Sequence, residues 1–267
     1  SQEGLQARWS FFPGAVLGKA TRPLKIGDIY FIDQYNQEFS RDAEPMRGGH
    51  TDSYYYQLAA NVRRYKGVRK PAAASPARSI DINGSFYQWN DVQPEYRDHL
   101  YETLHRKHPG FGSFGEYVNE TGRNEFTHLK VAQDDANIYF YARTRASVTP
   151  HTDPNWMLLF INSDQSKATG WEGYDYLINL EVLDGGRTTV KRCTGGWSWE
   201  TAGEAQYRVE GNQIMIAVPR ELLGMQGKAA AFDFKWADNI QGSGEIEDFF
   251  LNGDTAPSRR FDYRYQE

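Results

Sequence analysis

The fold class is decided by the stretch Lys130–Arg143, which reads KVAQDDANIYFYAR. Two segments of strand character, 130–132 and 137–143, flank the polar turn Asp134-Asp135-Ala136. A short polar turn between two alternating segments is typical of a β-hairpin. The stretch therefore predicts a pair of antiparallel strands.

Strand patterns of the same kind continue toward the C-terminus. They are the continuous apolar run 156–161 and the mostly alternating segments 174–179, 188–192, 205–209, 214–218 and 232–236. Glycine pairs at 185–186 and 195–196 mark turns between strands. Short strands separated by turns at this spacing predict a mainly β fold, an antiparallel β-sandwich.

The chain before residue 79 has a different character. The run Lys70–Ala77 is rich in Pro and Ala and indicates a linker, while 29–32 has the pattern of a short strand and 52–65 that of a helix. We therefore divide the chain into an N-terminal loop-strand-helix extension, 1–78, and a sandwich, 79–267. The apolar stripe of the helix predicts that it packs against the sandwich or against a second copy of the chain.

Composition excludes several classes of protein. The net charge of -5 argues against a surface that neutralises phosphates, so we expect no nucleic-acid partner. The sequence has no apolar run of about 18 residues, and we expect no transmembrane segment. The single cysteine, Cys193, excludes an internal disulfide. Aromatic residues make up 15% of the chain, which suits both sheet packing and stacking against sugar rings.

The C-terminal region combines an aromatic ring with the polar groups that sugar hydroxyls require. Trp236 is followed by Asp238 and Asn239, and Arg260 lies further on. An apolar ring with a few fixed polar groups is the composition of a carbohydrate site, although Trp236 in the core and loop-capping polar residues would explain the same pattern. Trp171 and Trp197 lie in glycine-bounded loops, where core packing is a weaker explanation.

The sequence carries no self-sufficient catalytic motif and indicates no required cofactor. HExxH, GxSxG and P-loop patterns are all absent from the 267 residues. Asp164 and Asp175 are candidate ligands for a structural Ca²⁺, because hard oxygen ligands suit that ion. The alternative for each is a hydrogen bond to its own backbone turn.

The segment from Ile80 to Tyr265 resembles the family 9 carbohydrate-binding modules and the related sugar- and haem-binding sandwiches. The resemblance rests on a few landmarks: Ile82-Asn83-Gly84, Trp89, residues 134–139, the strand 156–161 that leads to Asp164, and residues 214–219. It implies a sugar held between two tryptophan faces, with structural calcium common. Trp236 is then one face, beside Asp238 and Asn239, and Trp171 or Trp197 is the other.

The stretch from Ile29 to Gly67 resembles the last strand and helix of an α/β-barrel glycoside hydrolase of polysaccharide-degrading gut bacteria. The resemblance makes Asp33 and Glu38 the carboxylates to suspect, since barrel enzymes place catalysis just after their strands. One strand-helix unit cannot build a barrel, so we expect no catalysis by this chain alone.

These observations predict a secreted, periplasmic or cell-surface bacterial protein. Its predicted function is to bind oligo- or polysaccharide as an accessory to polysaccharide degradation, alongside a catalytic partner domain or as a homodimer. The alternative is a glycoside hydrolase, or the C-terminal fragment of one. A third interpretation is a purely structural sandwich that supports a partner domain.

Overall fold

The structure is a computed structural model that describes residues 64–67, 73–100, 106–109, 116–241, 244–246, 248–258 and 261–267. The strands are β1 (Glu95–Arg97), β2 (Arg106–Pro109), β3 (Glu116–Asn119), β4 (Phe126–Gln133), β5 (Asn137–Thr144), β6 (Leu158–Asn162), β7 (Tyr176–Asp184), β8 (Arg187–Gly195), β9 (Ser198–Glu210), β10 (Gln213–Pro219), β11 (Ala231–Asp238), β12 (Asp254–Ala256) and β13 (Tyr263–Gln266). The described residues also include two 3₁₀ helices, η1 (Phe86–Trp89) before β1 and η2 (Arg220–Leu223) after β10, and the short α-helix α1 (Asp248–Leu251) after β11.

Eleven of the strands form one antiparallel sheet. Its order is β1-β4-β5-β10-β9-β8-β7-β6-β11-β12, and β13 pairs with the same strand as β12, namely β11. The mainly β, antiparallel fold expected from the sequence is confirmed. The 130–143 hairpin is also confirmed, with Gln133 opposite Ile138 and the backbone N–H of Asp134 bonded to the carbonyl of Asn137.

The sheet curls until its first and last strands meet. The Tyr96 hydroxyl on β1 donates to the Arg264 carbonyl on β13 at 2.7 Å, and the Tyr263 hydroxyl donates to the Arg97 carbonyl at 3.0 Å. The backbone N–H of Phe126 on β4 donates to Asp254 on β12 at 2.6 Å. The sheet is therefore nearly closed, which leaves few unpaired strand edges.

The core lies inside the curled sheet, because alternate residues of each strand point inward. Inward side chains include Phe140 on β5, Ile161 on β6 and Phe234 on β11, all fully buried. The outward faces of β4, β5 and β10 are covered by the segment 80–92, whose Trp89 packs on Tyr141 with ring centroids 5.2 Å apart. Both sides of this part of the sheet are therefore buried.

The outward face of β6 is covered by a second group of aromatic side chains. Phe160 points outward from β6 and contacts Trp171, Tyr174 and Phe249, with ring centroids 5.2 to 5.8 Å apart. All five residues of β6 are consequently buried. This explains why the predicted strand 156–161 is continuously apolar rather than alternating.

The chain divides into two compact units. One consists of Pro71–His105 and Asn119–Glu267 and contains the eleven-stranded sheet. The other consists of Ser1–Lys70 and Arg106–Val118. Apart from the helical residues 64–66, the predicted strand and helix of the N-terminal extension lie outside the described residues, so the division at residue 78 and the docking of that helix stay predictions.

Candidate functional site

The structure places Trp236 in the core. It is fully buried and packs on Phe126, with ring centroids 6.0 Å apart. Phe232, Phe234 and Trp236 alternate along β11 and all point inward, so strand parity fixes the position of the tryptophan. The expectation that Trp236 forms a sugar-stacking face is therefore corrected, because no face of its ring is open. The alternation of Trp236 with Phe232 and Phe234 was the sequence signal that indicated this inward position.

Asp238 and Asn239 hold loops to the end of β11. The Asp238 carboxylate accepts from Arg123 Nε at 2.7 Å and from the Met157 backbone N–H at 2.8 Å. Burial raises the pKa of Asp238, and the Arg123 guanidinium opposes that rise. The Asn239 side chain donates to the Thr121 carbonyl at 2.7 Å. These groups are engaged with the protein itself, in the loop-capping role that the sequence left open.

Trp171 and Trp197, the candidates for a second sugar face, are in contact with each other. Their ring centroids are 4.5 Å apart and their planes 78° apart. Trp171 is only 6% exposed and packs within the aromatic group on β6, with its indole N–H 3.4 Å from the Gly244 carbonyl. Trp197, in the turn between β8 and β9, is half-buried. Of the two, Trp197 is the ring that reaches solvent.

Trp199 completes this aromatic edge, although it was not among the predicted site residues. It is half-buried, and its ring centroid lies 5.5 Å from that of Trp197 with an interplanar angle of 88°. The two rings thus form a corner. Trp197 and Trp199 lie two residues apart, directly after Gly195-Gly196, and this spacing was the available sequence signal.

A row of polar side chains continues from Trp199 on the same side of the ribbon that strands β7, β8 and β9 form. Trp199 pairs with Cys193 and Thr201 pairs with Lys191, two residues further along both strands, so these side chains share one face. The Lys191 ammonium donates to Thr201 Oγ1 at 3.0 Å and to Glu181 at 2.5 Å. We call the set Trp197, Trp199, Thr201, Lys191 and Glu181 the hairpin face.

The hairpin face has the two components that a sugar site requires. Its aromatic end presents partly exposed indole rings, and its polar end presents a hydroxyl, an ammonium and a carboxylate. Thr201 is exposed, and the Glu181 side chain is 60% exposed. A ring-shaped ligand with an apolar face and peripheral hydroxyls could contact both ends.

The two candidate calcium ligands each accept a hydrogen bond from a backbone N–H group. Asp164 accepts from the Ser166 backbone N–H at 2.8 Å, and Asp175 accepts from the Ser163 backbone N–H at 2.8 Å. Within the part of the chain that the structure describes, no group of three or more His, Cys, Asp or Glu is placed to hold a metal ion. Asp164 thus bonds its own turn, as the alternative to calcium predicted, whereas Asp175 bonds a residue twelve positions earlier in the chain.

Three of the predicted site residues cannot be placed. Asp33 and Glu38, the candidate catalytic carboxylates, lie outside the described residues, and so does Arg260.

None of the helices among the described residues is long and apolar enough to cross a membrane.

Comparison with models of known protein families finds no match to this chain. A search of curated proteins finds no match either. The resemblance to family 9 carbohydrate-binding modules therefore stays a prediction.

Proposed function

We propose that this protein binds carbohydrate at the hairpin face. The observation that carries the proposal is the union of two half-exposed indole rings with a hydroxyl, an ammonium and a carboxylate on one side of the β7–β9 ribbon. The C–H groups of a sugar ring pack on an indole face, while its hydroxyls both donate and accept hydrogen bonds. The face offers partners for each kind of contact.

The aromatic end is held in position before any ligand arrives. Trp197 packs edge to face against both Trp171 and Trp199. The backbone of Gly244 lies so close to Trp197 that an added Cβ would be 2.6 Å from the tryptophan Cβ. A ring fixed in this way loses little conformational entropy when it binds, which favours affinity.

The polar end is also ordered by contacts within the protein. Lys191 is held between Glu181 and Thr201, so its ammonium does not have to be immobilised by the ligand. Three donors on the ammonium and several lone pairs on the carboxylate leave capacity for sugar hydroxyls. We propose that these groups orient the glycan that stacks on the tryptophans.

Calorimetric titration of a broad panel of soluble glycans tests the proposal. We expect Trp199→Ala and Trp197→Ala to weaken binding by about tenfold or more each, equivalent to about 1.4 kcal/mol. Trp199→Phe keeps an aromatic ring and should lose less. Tyr87→Ala is the matched control, because Tyr87 is an 80% exposed aromatic on η1, away from this face.

Unchanged affinity in both tryptophan variants, with wild-type melting curves, would remove the hairpin face from consideration. A panel without any bound glycan would remove the function itself. In that case a structural sandwich that supports a partner domain would become the better explanation.

The biological setting is part of the same proposal. A secreted, periplasmic or cell-surface accessory of bacterial polysaccharide degradation would use such a face to hold substrate near a catalytic partner. The alternative of a glycoside hydrolase depends on Asp33 and Glu38. Hydrolysis assays on the same panel, repeated with Asp33→Asn and Glu38→Gln, address it directly, since activity unaffected by both changes excludes these carboxylates.

A further inference from the structure

The charged side chains along the polar row, from Lys191 near the aromatic corner to Arg187 at the start of β8, are paired with carboxylates. Lys191 lies 2.5 Å from Glu181, and Arg187 lies 2.8 Å from Asp184 and 2.9 Å from Glu204. Arg187 and Glu204 continue the polar row, because strand pairing puts Arg187 opposite Gln206 and Thr189 opposite Glu204. Two cations are thus matched by three carboxylates.

This balance opposes an anionic ligand. A uronate carboxylate or a sulfate that approached the corner would meet the Lys191 ammonium only by displacing the Glu181 carboxylate that already holds it. The displaced carboxylate would then lie beside the incoming negative charge, and like charges at short range repel. The overall net charge of -5 acts in the same direction at longer range.

A neutral sugar faces no such penalty. Its hydroxyls can donate to the carboxylates and accept from the ammonium without breaking the ion pairs, since each group has hydrogen-bonding capacity left. We propose that the hairpin face selects neutral glycans over acidic ones, and that Glu181 enforces the selection by keeping Lys191 neutralised. This inference rests on the proposed function.

The first test compares neutral glycans with uronate- or sulfate-bearing glycans in calorimetric titrations of the whole chain. We expect the bound glycans to be neutral, with affinities that change less than about twofold between about 0.05 and 0.5 M salt, because no net charge is neutralised on binding. Acidic glycans should bind at least about tenfold more weakly.

The second test uses Glu181→Gln, which frees the Lys191 ammonium. The variant should gain affinity for acidic glycans, and that gain should fall with added salt. Lys191→Met in the same background should abolish the gain. Glu210→Gln is the matched control, because Glu210 pairs with Arg208 on β9 and its side chain is 60% exposed, as that of Glu181 is.

The outcomes separate the two proposals. Tighter, salt-sensitive binding of acidic glycans by the wild type overturns neutral selection and leaves carbohydrate binding standing. Glu181→Gln with an unchanged preference overturns the role of Glu181. The absence of binding to every glycan overturns both.

Discussion

At the scale of the residue, the position of a tryptophan along its strand determines whether its ring points into the core or away from it. Trp236 points inward from β11 and is fully buried, whereas Trp199 points outward from β9 and is partly exposed. Both indole N–H groups are buried without a hydrogen-bond partner among the described residues. Exposure of the ring face, rather than residue type, therefore decides which tryptophan can contact a sugar.

Asp134 shows how one side chain can determine a turn. Its carboxylate accepts from the backbone N–H groups of Ala136 and Asn137 at 2.9 and 2.8 Å, and from the hydroxyls of Ser79 and Tyr139. Burial raises the pKa of Asp134, but these hydrogen bonds outweigh it, and the pKa lies below the usual value of an aspartate. The ionised form is thus the one that the fold prefers.

A pH prediction follows from that shift. Because the pKa of Asp134 is lower in the folded than in the unfolded state, its stabilising contribution is present above the unfolded pKa and is lost as the pH falls through the folded pKa. Asp134→Asn should therefore be less stable than wild type at pH 7, and the difference should shrink below about pH 4. Urea unfolding at pH 7 and at several pH values below about 4 measures it.

Asp135→Asn is the control for that series, since Asp135 is an exposed neighbour in the same turn. It should leave the unfolding midpoint nearly unchanged at both ends of the pH range. A gap between Asp134→Asn and wild type that stays constant with pH would contradict the assigned role of the ionised carboxylate.

At the scale of the element, the β8–β9 hairpin depends on a loop distant in sequence. Gly244 has a φ of +85°, which favours glycine, and its backbone packs directly on Trp197. Its carbonyl also lies 3.4 Å from the Trp171 indole N–H. The aromatic corner is therefore positioned by this loop as well as by the hairpin.

Gly244→Ala tests that dependence. The new Cβ would lie 2.6 Å from the Trp197 Cβ, so either the ring or the loop must move. We expect a lower melting temperature and about a tenfold loss of glycan affinity, with a changed near-ultraviolet circular dichroism signal from the tryptophans. Gly211→Ala is matched in backbone strain, with a φ of +59°, but has no neighbour within 4 Å.

The control variant, Gly211→Ala, should lose stability without losing affinity for glycan. If Gly244→Ala binds glycan as tightly as Gly211→Ala does, the position of Trp197 does not matter for binding.

At the scale of the whole sheet unit, hydrogen bonds between its first and last strands keep it nearly closed. Tyr96 contributes most visibly, since its ring packs on Phe234 and Tyr263, with centroids 5.2 and 4.8 Å apart, while its hydroxyl reaches the Arg264 carbonyl. Burial raises the pKa of Tyr96, so this hydroxyl remains a donor. Closure thus joins residues 168 positions apart.

Tyr96→Phe should cost about 1 kcal/mol of unfolding free energy, because it leaves a carbonyl unpaired where β1 meets β13. Amide hydrogen exchange in β13 should become faster. Tyr141→Phe is the control, since it removes a comparable bond, from the Tyr141 hydroxyl to Gln213 at 2.7 Å, between strands that are already neighbours. Equal exchange in β13 for both variants would show that the tyrosine does not hold the closure.

The sequence alone determined the local features of this protein. Alternation and polar turns predicted the 130–143 hairpin and the antiparallel, mainly β fold, because strand period and turn chemistry act over a few neighbouring residues. The same reasoning placed Trp197 in a glycine-bounded loop, which is the turn between β8 and β9. It left Trp236 open between the core and a sugar site, although alternation with Phe232 and Phe234 favours the core.

Only the tertiary structure decided which faces remain open. Trp171 is covered because Phe160 and Phe249 meet it from elsewhere in the chain. Lys191 and Glu181 form a pair because a bulged strand pairing brings β7 beside β8. Burial depends on neighbours that the sheet brings together from distant positions, and the Lys191–Glu181 pair, within one hairpin, depends on where the bulge falls in β7; no local pattern specifies either.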